Sequence, residues 1–163
     1  MGKIDDSVFI AEGVRLVGDI TIGRGSSIWF NSVIRADENE VRIGEESNVQ
    51  DCCVFHTGTR YPVIIGDRVT IGHSAVIHGC TIGDGTLIGM GSILMNGSVI
   101  GEGSVIGAGS LVTQNTVIPP GSLAYGSPAK VIRPVTEEER KRNLWAADEY
   151  VGLVREMKSK TKD

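Results

Sequence analysis

An aliphatic residue returns at every sixth position through residues 82–118, and this spacing is the strongest structural signal in the chain. A glycine often follows it directly. A period of six is neither the 3.6-residue period of a helix nor the alternation of a flat strand. It is typical of hexapeptide β-solenoids, in which short strands joined at tight corners stack coil upon coil. The series is Ile82, Ile88, Leu94, Ile100, Ile106, Val112 and Ile118.

The same spacing extends toward the N-terminus in groups of three residues, which we call the first, second and third corners of a coil. Steps inside a group are six residues, and the irregular steps fall between groups. Three corners per coil predict a triangular prism whose loops vary in length at one edge only. The groups are Ile22, Ile28 and Ile34; Ile43, Val49 and Phe55; and Ile65, Ile71 and Ile77.

The corners predict where the polar side chains lie. Arg35, His56 and His78 each follow a third corner, so they are expected to form one column up the third edge, with coils about 4.8 Å apart. Asp51 and His73 each lie two places after a second corner and should be neighbours on the second edge. The histidines of the chain are therefore all predicted beside two adjacent edges.

The regular coils are predicted to end near Ile118, because Pro119 and Pro120 cannot donate ladder hydrogen bonds. We predict a β-helix over residues 1–121, and a connector and a helix packed on it over residues 122–163, in a single domain. Thr136 and Glu139 form a capping box at the helix start. The expected buried stripe of that helix is Leu144, Ala147, Val151, Val154 and Met157.

Composition narrows the class of protein. The 163 residues suit one domain, and 22 glycines against three phenylalanines suit a fold of many corners. A net charge of −4 gives no case for nucleic acid or an anionic membrane surface as partner. We expect no membrane span and no signal peptide. The cysteines match no zinc or redox spacing, so we expect free thiols and a cytoplasmic location.

The histidines suggest a metal site shared between two copies of the chain. His56 and His78, one coil apart, can converge on one ion, whereas His73 lies beside a different edge. In a threefold ring, the third edge of one subunit packs on the second edge of the next and brings the neighbour's His73 to the pair. Three imidazoles with an open fourth position are typical of a catalytic zinc. The alternative is three ordinary corner histidines bonded to nearby carbonyl oxygens.

The sequence resembles the γ-class carbonic anhydrases and their homologues over residues 14–150. This resemblance implies an all-β, left-handed parallel β-helix of hexapeptide repeats with one C-terminal α-helix, although general crossover rules favour right-handed connections. The matching segments are Asn31–Asp37, Asn48–Asp51 with His56, Ile71–Cys80 and Tyr125–Lys130.

The resemblance also implies the metal ligands. His56 and His78 match two ligands from one subunit, and His73 matches the ligand given by its neighbour in a homotrimer. Zinc is the expected metal. Ferrous iron and cobalt are alternatives, since three neutral imidazoles accept each of them.

Further side chains receive roles by the same resemblance. Gln50 matches a residue that orients the metal-bound hydroxide and CO2, and Tyr125 matches a tyrosine near the metal. Arg35 and Asp51 match a pair that ties subunits together beside the site, with Asp37 close by. A purely structural ion pair is the alternative for these charged residues. An exposed corner position is the alternative for Gln50.

Two positions depart from the family pattern. Ala36 stands where a glycine is usual, which alters backbone freedom. The edge loop of residues 57–62 contains no carboxylate, whereas the best-studied enzymes of the class have glutamates there that move protons away from the metal-bound water. Because rapid turnover needs a proton acceptor, we expect a slow or buffer-dependent enzyme, or a silent one.

The leading hypothesis is reversible hydration of CO2 to bicarbonate by a metal-bound hydroxide at trimer interfaces. One alternative is a CoA-dependent acyltransferase, because the same coils occur in that class and a histidine can act there as a general base. Another is a metal-binding homologue without catalysis.

Overall fold

The computed structural model describes residues 2–160, which form a parallel β-helix followed by one long α-helix. The outer bounds of the predicted segments, residues 1 and 163, lie outside the described residues. The β-helix is a left-handed hexapeptide solenoid of about six turns. The predicted fold class is therefore confirmed.

The strands are short, and most contain two or three residues. The N-terminal strands are β1 Phe9–Ile10, β2 Arg15–Ile22, β3 Ser27–Ile28, β4 Val33–Ile43, β5 Asn48–Val49, β6 Val54–His56, β7 Val63–Ile65, β8 Thr70–Ile71 and β9 Val76–His78. The C-terminal strands are β10 Thr81–Ile82, β11 Leu87–Ile88, β12 Ile93–Leu94, β13 Val99–Ile100, β14 Val105–Ile106, β15 Leu111–Val112, β16 Val117–Ile118, β17 Ser122–Gly126 and β18 Ala129–Pro134.

Each coil contributes one strand to each of three faces. One face is the eight-stranded sheet β1-β3-β5-β8-β11-β14-β17-β18. The other two faces form one ten-stranded sheet, because the long strand β4 continues round the third edge from one face to the other. The predicted triangular prism thus agrees with the observed topology.

The predicted corner residues form the core. Each points inward from its strand and stacks on its equivalent in the next coil. Ile34, Phe55 and Ile77 illustrate this column, since they pair in register through β4, β6 and β9 and have no exposed surface. The interior is almost entirely aliphatic, so stacking of like residues, rather than a mixed jigsaw, fills the prism.

The C-terminal end differs from the prediction of a simple connector. The two prolines end β16, but β17 resumes the solenoid by pairing in parallel with β14. The chain then reverses, and β18 pairs antiparallel with β17. A proline removes a donor only at its own position, so the strand could restart as soon as Ser122 followed.

Helix α1, Glu137–Lys160, packs on the eight-stranded face against β3 and β8. The predicted capping box is present: Glu139 N donates to Thr136 Oγ1 at 3.1 Å, and Thr136 N donates to Glu139 Oε2 at 2.9 Å. Ala147 and Val154 of the predicted stripe are buried. Among the described residues, no helix is both long and apolar enough to cross a membrane.

The cysteines are free thiols, as predicted. Cys53 and Cys80 are buried, whereas Cys52 is exposed at a corner with a left-handed φ of 58°. Burial raises the pKa of the Cys53 and Cys80 thiols to about 12. These two are therefore packing residues and not nucleophiles.

Candidate metal centre

His56 and His78 lie side by side on the third edge. Strands β4, β6 and β9 pair in register there, so that Arg35, His56 and His78 stack in the predicted column. His56 Nδ1 is 3.0 Å from His78 Nε2, and the ring centroids are 4.9 Å apart. The repeat itself creates this contact, because equivalent positions of adjacent coils must be neighbours.

His73 lies on the second edge, as predicted. It precedes β9, so residues 73–78 cross one face of the prism from the second edge to the third. His73 Nδ1 is 2.8 Å from Asp51 Oδ2, in the slot one coil earlier. Within residues 2–160, no three His, Cys, Asp or Glu side chains gather into a group that could hold a metal ion. One chain therefore offers a pair of imidazoles at one edge and a single imidazole at another.

Each of the three imidazoles has one nitrogen bound to a side-chain oxygen. His56 Nε2 is 3.1 Å from Asp37 Oδ1, and His78 Nδ1 is 2.6 Å from Asn96 Oδ1. Asp51 is the corresponding partner of His73. Oxygen acceptors of this kind usually orient histidines that ligate metals, because they fix the N–H on one nitrogen and leave the other free to coordinate.

Asp37 is held in its ionised form. Burial works against its charge, but the hydrogen bond from Arg35, at 2.6 Å, and that with His56 outweigh it and hold the pKa of Asp37 below its usual value. An ionised carboxylate only accepts hydrogen bonds. His56 therefore donates an N–H from Nε2 to Asp37, and Nδ1, which faces His78, is the nitrogen that a metal ion would bind.

The donor set at the third edge fits a cation such as zinc. An amide oxygen also only accepts, so His78 presents its N–H to Asn96 and its lone pair to His56. His56 Nδ1 and His78 Nε2 thus share a hydrogen bond at 3.0 Å, and these are the two nitrogens that a metal ion would bind in its place. Two nitrogens bound to one tetrahedral zinc at about 2.0–2.1 Å would lie about 3.3 Å apart. A small opening of the pair would accommodate the ion.

Of the other predicted site residues, Gln50 and Tyr125 lie on the second edge, and Arg35 has a different partner from the one predicted. Gln50 is 8% exposed and its Nε2 donates to Asn48 Oδ1 at 3.2 Å. Tyr125 lies on the second edge in β17, the third strand after β8 in the sheet, so about 14 Å of coil stacking separates it from His73. Within the chain, Arg35 pairs with Asp37 and not with Asp51.

Three residues that the sequence analysis did not select lie beside the histidine pair. A surface depression of about 430 Å³ is lined by His56 and His78 together with Asn96, Tyr61 and Glu38. Thr59 Oγ1 donates to Glu38 Oε2 at 3.0 Å. The loop after His56 contains no carboxylate, yet Glu38 from β4 supplies one at the same cavity. Glu38 directly follows Asp37 in the sequence, and this position beside a candidate site residue could have identified it.

The face between the second and third edges is apolar on its outside. Val54 and Ile93 point outward there and are each 43% exposed. We call this surface the uncovered apolar face. Its strands are the first part of β4 and all of β6, β9, β12 and β15, and its outward residues are Val33, Val54, Val76, Ile93 and Leu111. Contiguous exposed apolar residues are typical of surfaces that bind other proteins.

Comparison with known proteins places the chain among hexapeptide-repeat proteins. The family model "Bacterial transferase hexapeptide (six repeats)" matches residues 79–114. A protein of Methanocaldococcus jannaschii named "Probable carbonic anhydrase" is 54% identical over 156 residues, which cover 96% of this chain and 98% of that protein.

Two further relatives carry different names. Gamma carbonic anhydrase 2, mitochondrial, of Arabidopsis thaliana is 43% identical over 92% of this chain, which spans 56% of the plant protein. A crystal structure of a Bacillus cereus protein, described as a candidate acetyltransferase, superimposes with a TM-score of 0.95 at 50% identity. That match covers 97% of this chain and 92% of the other.

Proposed function

Because this chain belongs to the γ-class carbonic anhydrase family of hexapeptide-repeat proteins, we propose that it is a metal-dependent enzyme that hydrates CO2 reversibly to bicarbonate. The observation that carries the proposal is the orientation of the imidazoles. His56, His73 and His78 each have one nitrogen fixed by an oxygen acceptor, and the second nitrogens of His56 and His78 face each other at 3.0 Å. Ordinary corner histidines would have no reason to share that arrangement.

The third ligand would come from a neighbouring copy. The uncovered apolar face lies between the edge that carries His73 and the edge that carries His56 and His78. If this face packs on a second copy in a head-to-tail manner that closes after three subunits, His73 of one copy meets the pair of the next. We propose a homotrimer with one metal site at each of its interfaces.

The side chains divide the work as follows. A bound zinc would supply a water whose pKa is lowered toward neutrality. Asp37, Asn96 and Asp51 hold the three imidazoles. Gln50, on the same edge as His73, would reach the site across the interface and orient the reacting water and CO2. Arg35 would move part of its pairing from Asp37 to Asp51 of the adjoining subunit and so lock the interface beside the metal.

Glu38 is the proposed proton acceptor in place of a loop glutamate. It is exposed to solvent and lines the same depression as the two ligands. A carboxylate between the site and water can pass a proton to buffer. In stopped-flow assays, Glu38→Gln should lower kcat about tenfold in dilute buffer, with recovery in concentrated imidazole. A loss of kcat that buffer does not restore would contradict this role.

The metal ligands are tested by metal analysis of anaerobically purified protein. His56→Ala and His78→Ala should each abolish metal loading and CO2 hydration. Retention of one metal per subunit by both variants would overturn the assignment. The native metal, with zinc expected and ferrous iron or cobalt as alternatives, follows from the same analysis of the wild-type protein.

The shared site has a sharper test. His56→Ala and His73→Ala variants are each expected to be inactive, because every site in either homotrimer lacks one ligand. In randomly mixed trimers, a site is complete when its His56 and its His73 come from opposite variants in the correct order. About one quarter of the sites should then regain metal and activity. No recovery, with mixing verified by mass spectrometry, would exclude a site built from two copies.

A CoA-dependent acyltransferase is the second candidate. The hexapeptide transferase match and the description of the Bacillus cereus relative favour it. A histidine of the cluster would then act as a general base toward a hydroxyl or amine. Acetyl-CoA turnover that persists after metal removal, with no CO2 hydration under any loading, would reverse the ranking. Metal binding without either activity would identify a silent homologue.

A further inference from the structure

Asn96 makes the shortest hydrogen bond to the histidine pair. His78 Nδ1 donates to Asn96 Oδ1 at 2.6 Å. The bond decides the tautomer of His78, because a neutral imidazole carries one N–H and an amide oxygen can only accept it. The lone pair of the ring is thereby placed on Nε2, the nitrogen that faces His56 at 3.0 Å.

The absence of a side chain at Gly79 leaves the space that the Asn96 amide occupies. Gly79 directly follows His78 and has a left-handed φ of 57°. A Cβ at Gly79 would overlap the Asn96 Oδ1 atom and would lie 2.7 Å from Tyr61 Cβ. Glycine at this position therefore opens the space in which Asn96 and the Tyr61 side chain pack together. Neither neighbour could stay in place beside a larger residue.

Asn96 is also the one neutral acceptor among the three. Asp37 and Asp51 are the partners of His56 and His73. A third carboxylate at the position of Asn96 would add negative charge to the proposed shared site, which would already hold Asp37 and the Asp51 side chain of the neighbouring copy. An amide adds no charge, so it orients the His78 ring without the stronger attraction that a carboxylate would exert on the Nδ1 proton.

We propose that Asn96 is a positioning residue that sets the tautomer of His78 and presents Nε2 to the metal. Its link to metal affinity rests on the proposed function, whereas its effect on the tautomer does not. Its influence passes through the imidazole that it holds.

The first test uses metal-free wild-type protein and nitrogen-15 NMR of the histidine rings. His78 should be in the Nδ1–H tautomer. Asn96→Leu, which keeps the size of the side chain and removes the acceptor, should shift His78 toward a mixture of tautomers. An Nε2–H tautomer in the wild-type protein, or no change in the variant, would overturn the proposal. This result does not depend on any activity.

The second test measures cobalt(II) affinity by its visible absorption. Asn96→Leu should weaken binding about 10- to 100-fold, as is usual for the loss of a partner that orients a ligand. Asn96→Asp keeps an acceptor and should bind cobalt about 10- to 100-fold more tightly than Asn96→Leu does. Asn115→Gly is the matched control. It removes an amide that packs the same way on Gly97 one coil further, at a φ of 59° that suits glycine, and should leave affinity unchanged.

The two tests separate the possible failures. If wild-type protein binds no cobalt, the proposed function fails, and the NMR result alone decides whether Asn96 positions His78. If wild-type protein binds cobalt and Asn96→Leu binds it equally well with the same oligomeric state, the positioning role is wrong. The proposed function then stands.

Discussion

Two faces of the prism differ in what lies against them. On the eight-stranded face, the outward residues of β3, β5 and β8 are polar, and Ser27, Asn48 and Thr70 are each at most 4% exposed because α1 covers them. On the uncovered apolar face, Val54 and Ile93 remain 43% exposed. The polar column is sealed within the chain, and the apolar column is not.

The polar side chains of the eight-stranded face hydrogen-bond to one another beneath α1. Trp29 Nε1 donates to Ser27 Oγ at 2.9 Å, and Asn48 Nδ2 donates to Thr70 Oγ1 at 2.9 Å. The Trp29 ring then packs on Tyr150 of α1, with centroids 5.3 Å apart. This face needs no second molecule. The candidate metal ligands flank the other face, so the proposed chemistry would take place beside the surface that the chain leaves open.

The largest expected effect comes from charging the uncovered apolar face. Val54→Arg combined with Ile93→Arg would bury two unpaired cations at the proposed interface, at a cost of about 3 kcal/mol or more. Light scattering should show monomers, and metal binding should weaken at least a hundredfold because the neighbour's His73 is lost.

The control lies on the remaining face of the prism, which contains β7, β10, β13 and β16. Val117 is 65% exposed on β16, and Val117→Arg should leave both assembly and metal content unchanged. If the doubly charged variant keeps its wild-type mass in solution, the uncovered apolar face is not the interface.

The next effect probes the sealed face. Ala147 has no exposed surface where α1 meets the sheet, so Ala147→Asp would bury an unpaired carboxylate. We expect the free energy of unfolding to fall by about 3 kcal/mol, measured in urea, with metal content per folded trimer retained. Trp145→Asp, on the exposed side of α1, should change stability by no more than about 0.5 kcal/mol. Loss of metal in folded Ala147→Asp would show that the two faces are not independent.

A smaller effect is expected at the start of α1. Thr136→Ala removes the side-chain acceptor for Glu139 N and should cost about 1 kcal/mol. Thermal unfolding followed by circular dichroism measures it. Thr136→Ser retains the hydroxyl and should remain close to wild type. Equal stability of all three proteins would mean that the capping box does not stabilise the docked helix.

The smallest effect concerns acid. The guanidinium of Arg133, together with the backbone N–H of Thr136, lowers the pKa of Glu139 from 4.5 to about 2. A lowered folded-state pKa gives stability that is present above about pH 4.5 and is lost as the pH falls through about 2. The slope of stability against pH in that window should be shallower in Glu139→Gln. Identical slopes would remove Glu139 from the acid response.

The coil register could be predicted because six-residue spacing leaves little freedom. Once Ile34, Phe55 and Ile77 are assigned to third corners, the residues that follow them must stack, and the contact between His56 and His78 follows. The capping box was equally predictable, since it depends on residues three positions apart. Both are local rules repeated without interruption.

The surroundings of the histidines were harder to predict. Asn96 comes two residues after the corner residue Leu94, and the residue between them, Met95, is larger than the glycine that often follows a corner. The Asn96 side chain contacts His78 in the preceding coil because Gly79 leaves room for it. Glu38 lies on the part of β4 that turns round the third edge. These contacts depend on side-chain reach and local backbone shape, which corner spacing does not encode. The pairing of Arg35 with Asp51 remains a prediction about the assembled trimer.

The reversed strand β18 gives the stack a defined height. A pile of equivalent turns has no internal rule for its length, and its last rung is a template for further growth, either by the same chain or by another molecule. Here β18 occupies that rung on one face by running backward along β17. The other two faces finish in the two-residue strands β15 and β16, and prolines follow β16. The paired end thus disfavours end-to-end fibres and leaves the sides of the prism for the proposed closed ring.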